Sequence, residues 1–182
     1  LFDIPDGVTY LNCAYMSPML SQAIDVGLRA MQLKARPWEI KASHFFDKVE
    51  IARRLAAEIV GCTSNDIALI PSASYGIATA ANNIALGLDR EIIVLEEQFP
   101  SNVFCWIDSA KVAGSSLKRV VRPDDGDWTP AILNTINSKT RLAALPHCHW
   151  KDGSLLDLKP IAERLREYGA ALVIDTTQSL GA

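Results

Sequence analysis

The chain has 182 residues, of which 49% are hydrophobic, and a formal net charge of -3. These values suit one globular domain over 1–182, with no basic face for nucleic acid and no run of the ~20 apolar residues that a membrane helix needs. The four cysteines are scattered without a CxxC pair, which is typical of reduced thiols in a cytoplasmic protein.

The first third of the chain predicts two helices after an extended segment at 8–12. Ser17 and Pro18 predict the start of the first helix, with proline at the first helical position and apolar residues at helical spacing after it. The second helix is predicted from about 43 to 60, and Gly61 offers the left-handed conformation that ends such a helix.

The rest of the chain alternates between helices and short strands rich in β-branched residues. Five strands are predicted, at 67–70, 92–95, 117–121, 141–145 and 171–175. Helical crossovers are the usual connection between parallel strands, so the pattern predicts an α/β fold with a doubly wound, mainly parallel sheet and helices on both faces. Ligands of such sheets bind outside the carboxyl ends of the strands.

The segment PSASYG, at 71–76, follows the first predicted strand and enters a helix. Its small residues leave backbone N–H groups exposed at the positive end of the helix, which favours a phosphate. The simpler interpretation is a plain helix cap by Ser72 or Ser74. The chain contains neither GxGxxG nor GxxxxGK[ST], which argues against dinucleotide and P-loop nucleotide sites.

Aromatic and histidine side chains follow the second and fourth predicted strands. Phe99 is placed to stack on a planar ring, although ordinary core packing is the simpler explanation for this segment alone. His147 and His149 lie on the same side of an extended segment, but a metal site needs three or four ligands. No motif links the remaining histidine, His44, to this pair, so no metal site is predicted.

Asp175 ends the fifth predicted strand, and Gln178 follows three positions later. A carboxylate at the end of an apolar strand usually meets a cation, such as a metal, an arginine or a protonated ring nitrogen. The alternative is that Asp175 only caps the next turn. Taken together, the strand ends describe a site for a flat, phosphorylated, basic heterocycle.

These segments, taken in chain order, resemble the class V aminotransferase family of fold-type I pyridoxal-phosphate enzymes. The family includes cysteine desulfurases, kynureninases and isopenicillin-N epimerase, and the resemblance covers essentially the whole chain as the first part of the family's large domain. Its most specific segments are VIDTTQSLGA at 173–182 and YLNCAYMSP at 10–18, and ASYG, FPSNVFCW and HWKDG support them.

The resemblance implies a role for each candidate residue. Asp175 would pair with the protonated pyridine nitrogen of pyridoxal 5'-phosphate, and Gln178 would donate to the phenolic oxygen of the ring. Phe99 would stack on the ring, where many relatives carry histidine. The remaining implied positions are Ala73 and Ser74 for the phosphate and Asn12 for the substrate.

His149 and Trp150 stand where cysteine desulfurases carry a Ser-Asn pair before the family's glycine, and His149 is a candidate catalytic residue that would approach the cofactor or substrate. A structural role for His149 is an equally open alternative. This difference, together with phenylalanine at position 99, favours the epimerase-like and unassigned members of the family over cysteine desulfurases. The resemblance also implies a homodimer that acts on a small amino-acid substrate.

The expected activity is chemistry at the α-carbon of an amino acid, by transamination, elimination or racemisation. The family's Schiff-base lysine follows the Asp-x-x-Gln signature, whereas the last lysine here is Lys159. The chain is therefore expected to be a truncated fragment that is inactive alone. Two alternatives remain open, a non-catalytic pyridoxal-phosphate-binding or interaction module and an unrelated nucleotide-binding α/β domain.

Overall fold

The computed structural model describes residues 1–181, and its contacts group into two compact units, Leu1–Leu69 and Ile70–Ala182. The helices are α1 (Ser21–Lys34), α2 (Asp47–Val60), α3 (Ala73–Asn83), α4 (Phe104–Ala113), α5 (Trp128–Thr135) and α6 (Leu158–Glu167). The strands are β1 (Glu91–Leu95), β2 (Ser116–Val120), β3 (Thr140–Pro146) and β4 (Ala171–Asp175). That both units belong to one domain stays a prediction.

The predicted start of the first helix at Ser17 and Pro18 is wrong, because α1 begins at Ser21. Leu20 forms an isolated antiparallel bridge with Phe2, and the Ser21 N–H donates to the Leu1 carbonyl oxygen at 3.1 Å. These contacts keep the chain extended up to Leu20 and delay the first helical turn.

The end of the second helix is confirmed at Gly61, which has φ 80° and donates its N–H to the Ala57 carbonyl oxygen at 2.8 Å. Its predicted start near residue 43 is a short 3-10 helix, Ala42–Phe45, and α2 begins at Asp47. The apolar periodicity continues through both segments, so it does not distinguish one helix from two.

The strand predicted at 67–70 is wrong, because this segment pairs with no strand in the described part of the chain. Ile67 is extended, with φ -107° and ψ 128°. Its carbonyl oxygen accepts a hydrogen bond from Arg53 Nε at 2.8 Å instead of from a neighbouring strand. Extended backbone becomes a strand only when a second strand supplies the ladder of hydrogen bonds.

The second unit contains a parallel sheet with the strand order β2-β1-β3-β4. The register pairs Val94 with Arg119 across β1 and β2, and Ile92 with Leu142 across β1 and β3. At the other side, Leu145 of β3 pairs with Ile174 of β4. The last four predicted strands are therefore confirmed to within one residue at each end.

Side chains of the central strands alternate between the two faces of the sheet. Ile93 and Leu145 belong to a core that includes side chains of α5 and α6. Ile92 and Ala144 belong to a second core with side chains of α3 and α4. Helices therefore cover both faces, which confirms the predicted doubly wound α/β fold.

The sheet has its switch point between β1 and β3. These strands are neighbours, but the chain leaves β1 towards α4 on one face and leaves β3 towards α6 on the other. Such divergence opens a crevice at the carboxyl ends of the two strands. No helix among residues 1–181 is long and apolar enough to cross a membrane.

Candidate functional site

A cavity of about 480 Å³ lies in the second unit, between the first turn of α3 and the carboxyl end of β4. It brings together Ala73 and Asp175, two residues predicted from different strand ends. The cavity is also lined by Gly76 and Thr177, with apolar side chains such as Val173. The lining therefore combines a residue from the first turn of α3 with the acidic residue at the end of β4.

The first turn of α3 supplies unpaired backbone donors. Ser72 is extended, with φ -162° and ψ 160°, and its Oγ accepts the Tyr75 N–H at 3.2 Å. The N–H groups of Ala73 and Ser74 come before the first intrahelical hydrogen bond, and they have no partner among residues 1–181. The predicted cap by Ser72 is confirmed, and it leaves this end of the helix able to bind an anion.

Gly76 brings α3 close to the segment that precedes it. A Cβ atom at this position would lie 2.5 Å from the Ile70 Cδ1 atom, and both residues line the cavity. Only a residue without a side chain allows this approach without a shift of Ile70. The sequence signal for this contact is a glycine in the first turn of a helix, but a glycine alone does not reveal what the helix packs against.

Asp175 is half-buried at the end of β4, and its Oδ1 atom is held by a single neighbour. Oδ1 accepts the Thr177 N–H at 3.0 Å and the Thr177 hydroxyl at 2.6 Å. Oδ2 accepts no hydrogen bond and meets no cation among residues 1–181. Asp175 therefore does cap the next turn, as the simpler interpretation expected, and it keeps a second oxygen for a ligand.

The turn after β4 also contains Gln178, which is half-buried. The Ser179 and Leu180 N–H groups both donate to the Thr176 carbonyl oxygen at 2.9 Å, so the turn has a defined backbone. Ser179 Oγ lies 2.9 Å from His147 Nδ1. The role predicted for Gln178 at a ring oxygen stays a prediction.

The loop after β3 lies between the ends of β4 and β1 and contacts both. The His147 N–H donates to the Asp175 carbonyl oxygen at 2.9 Å. On the other side, the Trp150 Nε1–H donates to the Glu97 carbonyl oxygen at 2.7 Å. Trp150 also meets Phe99 edge to face, with ring centroids 5.5 Å apart and planes at 88°. Phe99 is half-buried, and its stacking role stays a prediction.

His149 is fully buried and does not line the cavity. Its ring stacks on Trp128 at 5.1 Å with an interplanar angle of 18°, and its Nε2 lies 3.3 Å from the Glu96 carbonyl oxygen. Its Nδ1 is 3.8 Å from Asp152 Oδ1. These contacts agree with the structural alternative, and a catalytic role for His149 stays a prediction.

Asp152 links the same loop to the end of β2. It forms an ion pair with Arg122 and accepts hydrogen bonds from the N–H and hydroxyl of Ser154. Burial acts to raise the pKa of Asp152, but these hydrogen bonds and the Arg122 charge bring that pKa below its usual range. No group of three or more possible metal ligands occurs among residues 1–181.

Asn12 lies in the first unit and is exposed there. Its carbonyl oxygen accepts the Tyr15 and Met16 N–H groups at 3.2 and 3.1 Å, so a short turn holds the segment. The substrate role predicted for Asn12 stays a prediction.

The family model described as aminotransferase class-V matches residues 32–182, and the chain therefore belongs to this family. The resemblance seen in the sequence motifs is confirmed. The chain is 26% identical over 163 residues to the uncharacterized aminotransferase YcbU of Bacillus subtilis, covering 89% of this chain and 42% of that protein. It is also 26% identical over 140 residues to a probable cysteine desulfurase of Mycoplasma genitalium, covering 72% and 33%.

The chain thus spans less than half of the length of these curated relatives. Among solved structures, it resembles a mutant of C-DES in which glycine is covalently linked to the pyridoxal-phosphate cofactor. The TM-score is 0.82 at 21% identity, covering 97% of this chain and 48% of that chain. This likeness shows the fold. The C-DES mutant holds pyridoxal phosphate, the same cofactor that the sequence motifs led us to expect.

Proposed function

We propose that this chain forms the cofactor-holding part of a pyridoxal-phosphate enzyme that acts at the α-carbon of an amino acid, by transamination, elimination or racemisation. The observation that carries the proposal is the cavity lined by both Ala73, at the start of α3, and Asp175, at the end of β4. Among residues 1–181 the Ala73 N–H has no partner and Asp175 Oδ2 accepts no hydrogen bond. Pyridoxal phosphate presents the complementary groups, a phosphate dianion and a basic ring nitrogen.

The phosphate would bind at the first turn of α3. The N–H groups of Ala73 and Ser74, with the Ser74 hydroxyl, would donate to its oxygens, and the helix end adds a partial positive charge. Ser74 is exposed and its side chain is open to a ligand. Gly76 contributes by keeping this turn close to Ile70.

Asp175 would hold the proton on the pyridine nitrogen of the bound cofactor. Thr177 fixes Oδ1 through two hydrogen bonds, which leaves Oδ2 for that task. When bound and protonated, the cofactor supplies an electron sink for negative charge at the substrate α-carbon. Gln178 would donate to the phenolic oxygen, and Phe99 would stack on the ring face.

The remaining assignments concern the substrate, the loop after β3, the assembly and the compartment. Asn12 would approach the substrate, and His149 would act either in chemistry or, as its stacking on Trp128 favours, as an anchor for the loop after β3. We further propose a homodimer in the cytoplasm. All four cysteines are free thiols, which fits a reducing compartment.

The proposal is tested by titrating pyridoxal phosphate into the full chain and following phosphorus NMR and tryptophan fluorescence. Saturable one-to-one binding is expected, with pyridoxal binding at least about tenfold more weakly because it lacks the phosphate. ATP serves as the control for the nucleotide-binding alternative. Equal affinity for pyridoxal and pyridoxal phosphate, or saturable binding of ATP alone, would contradict the proposal.

A second candidate is a non-catalytic module that holds the cofactor without a covalent bond. The observation that favours it is that no lysine among the described residues lines the cavity. Borohydride reduction of the chain with pyridoxal phosphate, followed by mass spectrometry, tests this candidate. A stoichiometric adduct on a single lysine would exclude it, whereas saturable binding without a specific adduct is the expected result.

A further inference from the structure

The loops that follow β1 and β3 contact each other at the switch point of the sheet. The β1–β3 register ends at Ile93 and Ala143, and the Gln98 side chain then bridges the two strands. Its Oε1 accepts the Leu95 N–H at 2.9 Å, and its Nε2 donates to the Ala144 carbonyl oxygen at 3.1 Å. The backbone that leads into Phe99 is therefore anchored, but these bonds do not fix the ring of Phe99.

Trp150 supplies that contact from the neighbouring loop. Its indole ring meets the Phe99 ring edge to face at 5.5 Å, and its Nε1–H donates to the Glu97 carbonyl oxygen at 2.7 Å. The two residues that Trp150 contacts, Glu97 and Phe99, belong to the same short segment. Trp150 is 45% exposed, so core packing does not explain why this large side chain is held in place.

The hydrogen bond from Trp150 to the Glu97 carbonyl oxygen is made at a residue with an unusual backbone conformation. Glu97 has φ 52°, a left-handed conformation that side chains other than glycine adopt rarely. Glu97 lies two residues before Phe99, and the hydrogen bond from Trp150 Nε1 to the Glu97 carbonyl oxygen stabilises this conformation. Lys151 adds an ion pair to the Glu97 side chain at 2.5 Å.

We propose that Trp150 is a positioning residue that sets the plane of the Phe99 ring against the bound cofactor. The inference rests on the proposed function, in which Phe99 is the stacking residue. Strand ends two places apart in a sheet are separated by about 10 Å, and β3 lies between β1 and β4. The loop after β3 contacts Asp175 through His147 and Phe99 through Trp150, so it joins the two residues to which the proposed function gives contacts with the cofactor ring.

A purely structural role makes a different prediction. If Trp150 only fastened two loops together, its removal would lower the free energy of unfolding and leave the bound cofactor in the same orientation. If Trp150 orients Phe99, its removal changes the induced circular dichroism of the bound cofactor, because that signal depends on the asymmetric contacts of the ring. The effect should also vanish when Phe99 itself is absent.

The experiment compares the wild-type full chain with Trp150→Ala, Trp150→Phe, Phe99→Ala and the double variant of Trp150→Ala with Phe99→Ala. The measurements are the dissociation constant of pyridoxal phosphate and the visible circular dichroism of the complex. Lys151→Met is the matched control, because it removes a neighbouring contact to the Glu97 side chain and leaves Trp150 intact. Exposed ion pairs add little to the stability of a protein, so the dissociation constant of this control for pyridoxal phosphate should lie within about twofold of wild type.

Trp150→Ala is expected to weaken binding roughly fivefold and to reduce the dichroism to less than about half. Trp150→Phe keeps a ring beside Phe99 and loses the Nε1 donor, so its affinity and dichroism should lie between those of Trp150→Ala and wild type. This variant provides the test if Trp150→Ala does not fold. The double variant should bind no more weakly than Phe99→Ala.

Unchanged affinity and dichroism in both Trp150 variants would overturn the inference, as would full additivity with Phe99→Ala. No cofactor binding by the wild-type chain would overturn the proposed function and the inference with it. The two failures are therefore distinguishable from the wild-type titration alone.

Discussion

Replacing Thr177 by valine removes the hydroxyl that holds Asp175 and keeps the shape of the side chain. In the structure this hydroxyl donates to Asp175 Oδ1 at 2.6 Å, and the Thr177 N–H donates to the same atom at 3.0 Å. The variant leaves the backbone donor in place. Asp175 therefore keeps one of its two anchors and gains freedom to rotate away from the cavity.

The expected size of the effect follows from the exposure of the pair. A hydrogen bond to a charged group contributes about 1.5–3 kcal/mol when it is buried. Thr177 is exposed and Asp175 is half-buried, so water replaces part of the lost donor and about 1 kcal/mol remains. This free energy corresponds to roughly fivefold weaker binding of pyridoxal phosphate.

The assay is a fluorescence titration of the full chain with pyridoxal phosphate, together with urea unfolding of the cofactor-free protein. Thr177→Ser is the matched variant, because it retains the hydroxyl and should bind like wild type. The unfolding free energy should fall by no more than about 1 kcal/mol in Thr177→Val, the contribution of the lost hydrogen bond, and by less than about 0.5 kcal/mol in Thr177→Ser. Equal affinities for Thr177→Val and Thr177→Ser would refute the view that the hydroxyl orients Asp175.

Two further substitutions test the cavity and the loops. Gly76→Ala places a Cβ atom 2.5 Å from Ile70 Cδ1 and should weaken cofactor binding several-fold, while Ile70→Val, which removes that atom, should restore binding in the double variant. The hydrogen bond from the Lys151 ammonium, with its charge, lowers the pKa of Glu97. Since the folded pKa lies below the unfolded value, this contact stabilises the loop at neutral pH, and its contribution is lost as the pH falls through the lowered pKa. NMR titration of Glu97 should show a higher pKa in Lys151→Met, and an unchanged value would contradict this cause.

The sequence predicted the parts of the fold that depend on local pattern. The segment at 171–175 forms β4 with those same limits, and Asp175 stands at its carboxyl end as expected. Alternating apolar residues and helical crossovers are enough to specify such strands and the parallel sheet. The donors at the start of α3 were predicted for the same reason, since small residues entering a helix are visible in the sequence.

The errors arose where long-range contacts decide the structure. Residues 67–70 have a strand-like composition, but a strand needs a partner, and the Ile67 carbonyl oxygen is taken by Arg53. The start of α1 was misplaced because Leu20 pairs with Phe2, a contact that propensity does not reveal. In both cases a distant residue overrides the local preference.

The site was predicted only in part for the same reason. Thr177 was not identified, although an Asp-x-Thr sequence after a strand is a recognisable turn signal. The contact of Trp150 with Phe99 joins loops that are far apart in the chain and left no local signal. His149 shows the reverse, since the family resemblance made it a candidate for chemistry and its burial against Trp128 was not visible from the sequence.

The most direct test of the account is the affinity of the full chain for pyridoxal phosphate in wild type and in Asp175→Asn. The variant keeps the shape of the side chain and an oxygen that accepts from Thr177, but it loses the charge that pairs with a protonated ring nitrogen. We expect saturable binding by wild type and at least about tenfold weaker binding by Asp175→Asn, because a charge-assisted pair is lost. Equal affinity in the two proteins, or no binding by either, would contradict the claim that this cavity holds the cofactor.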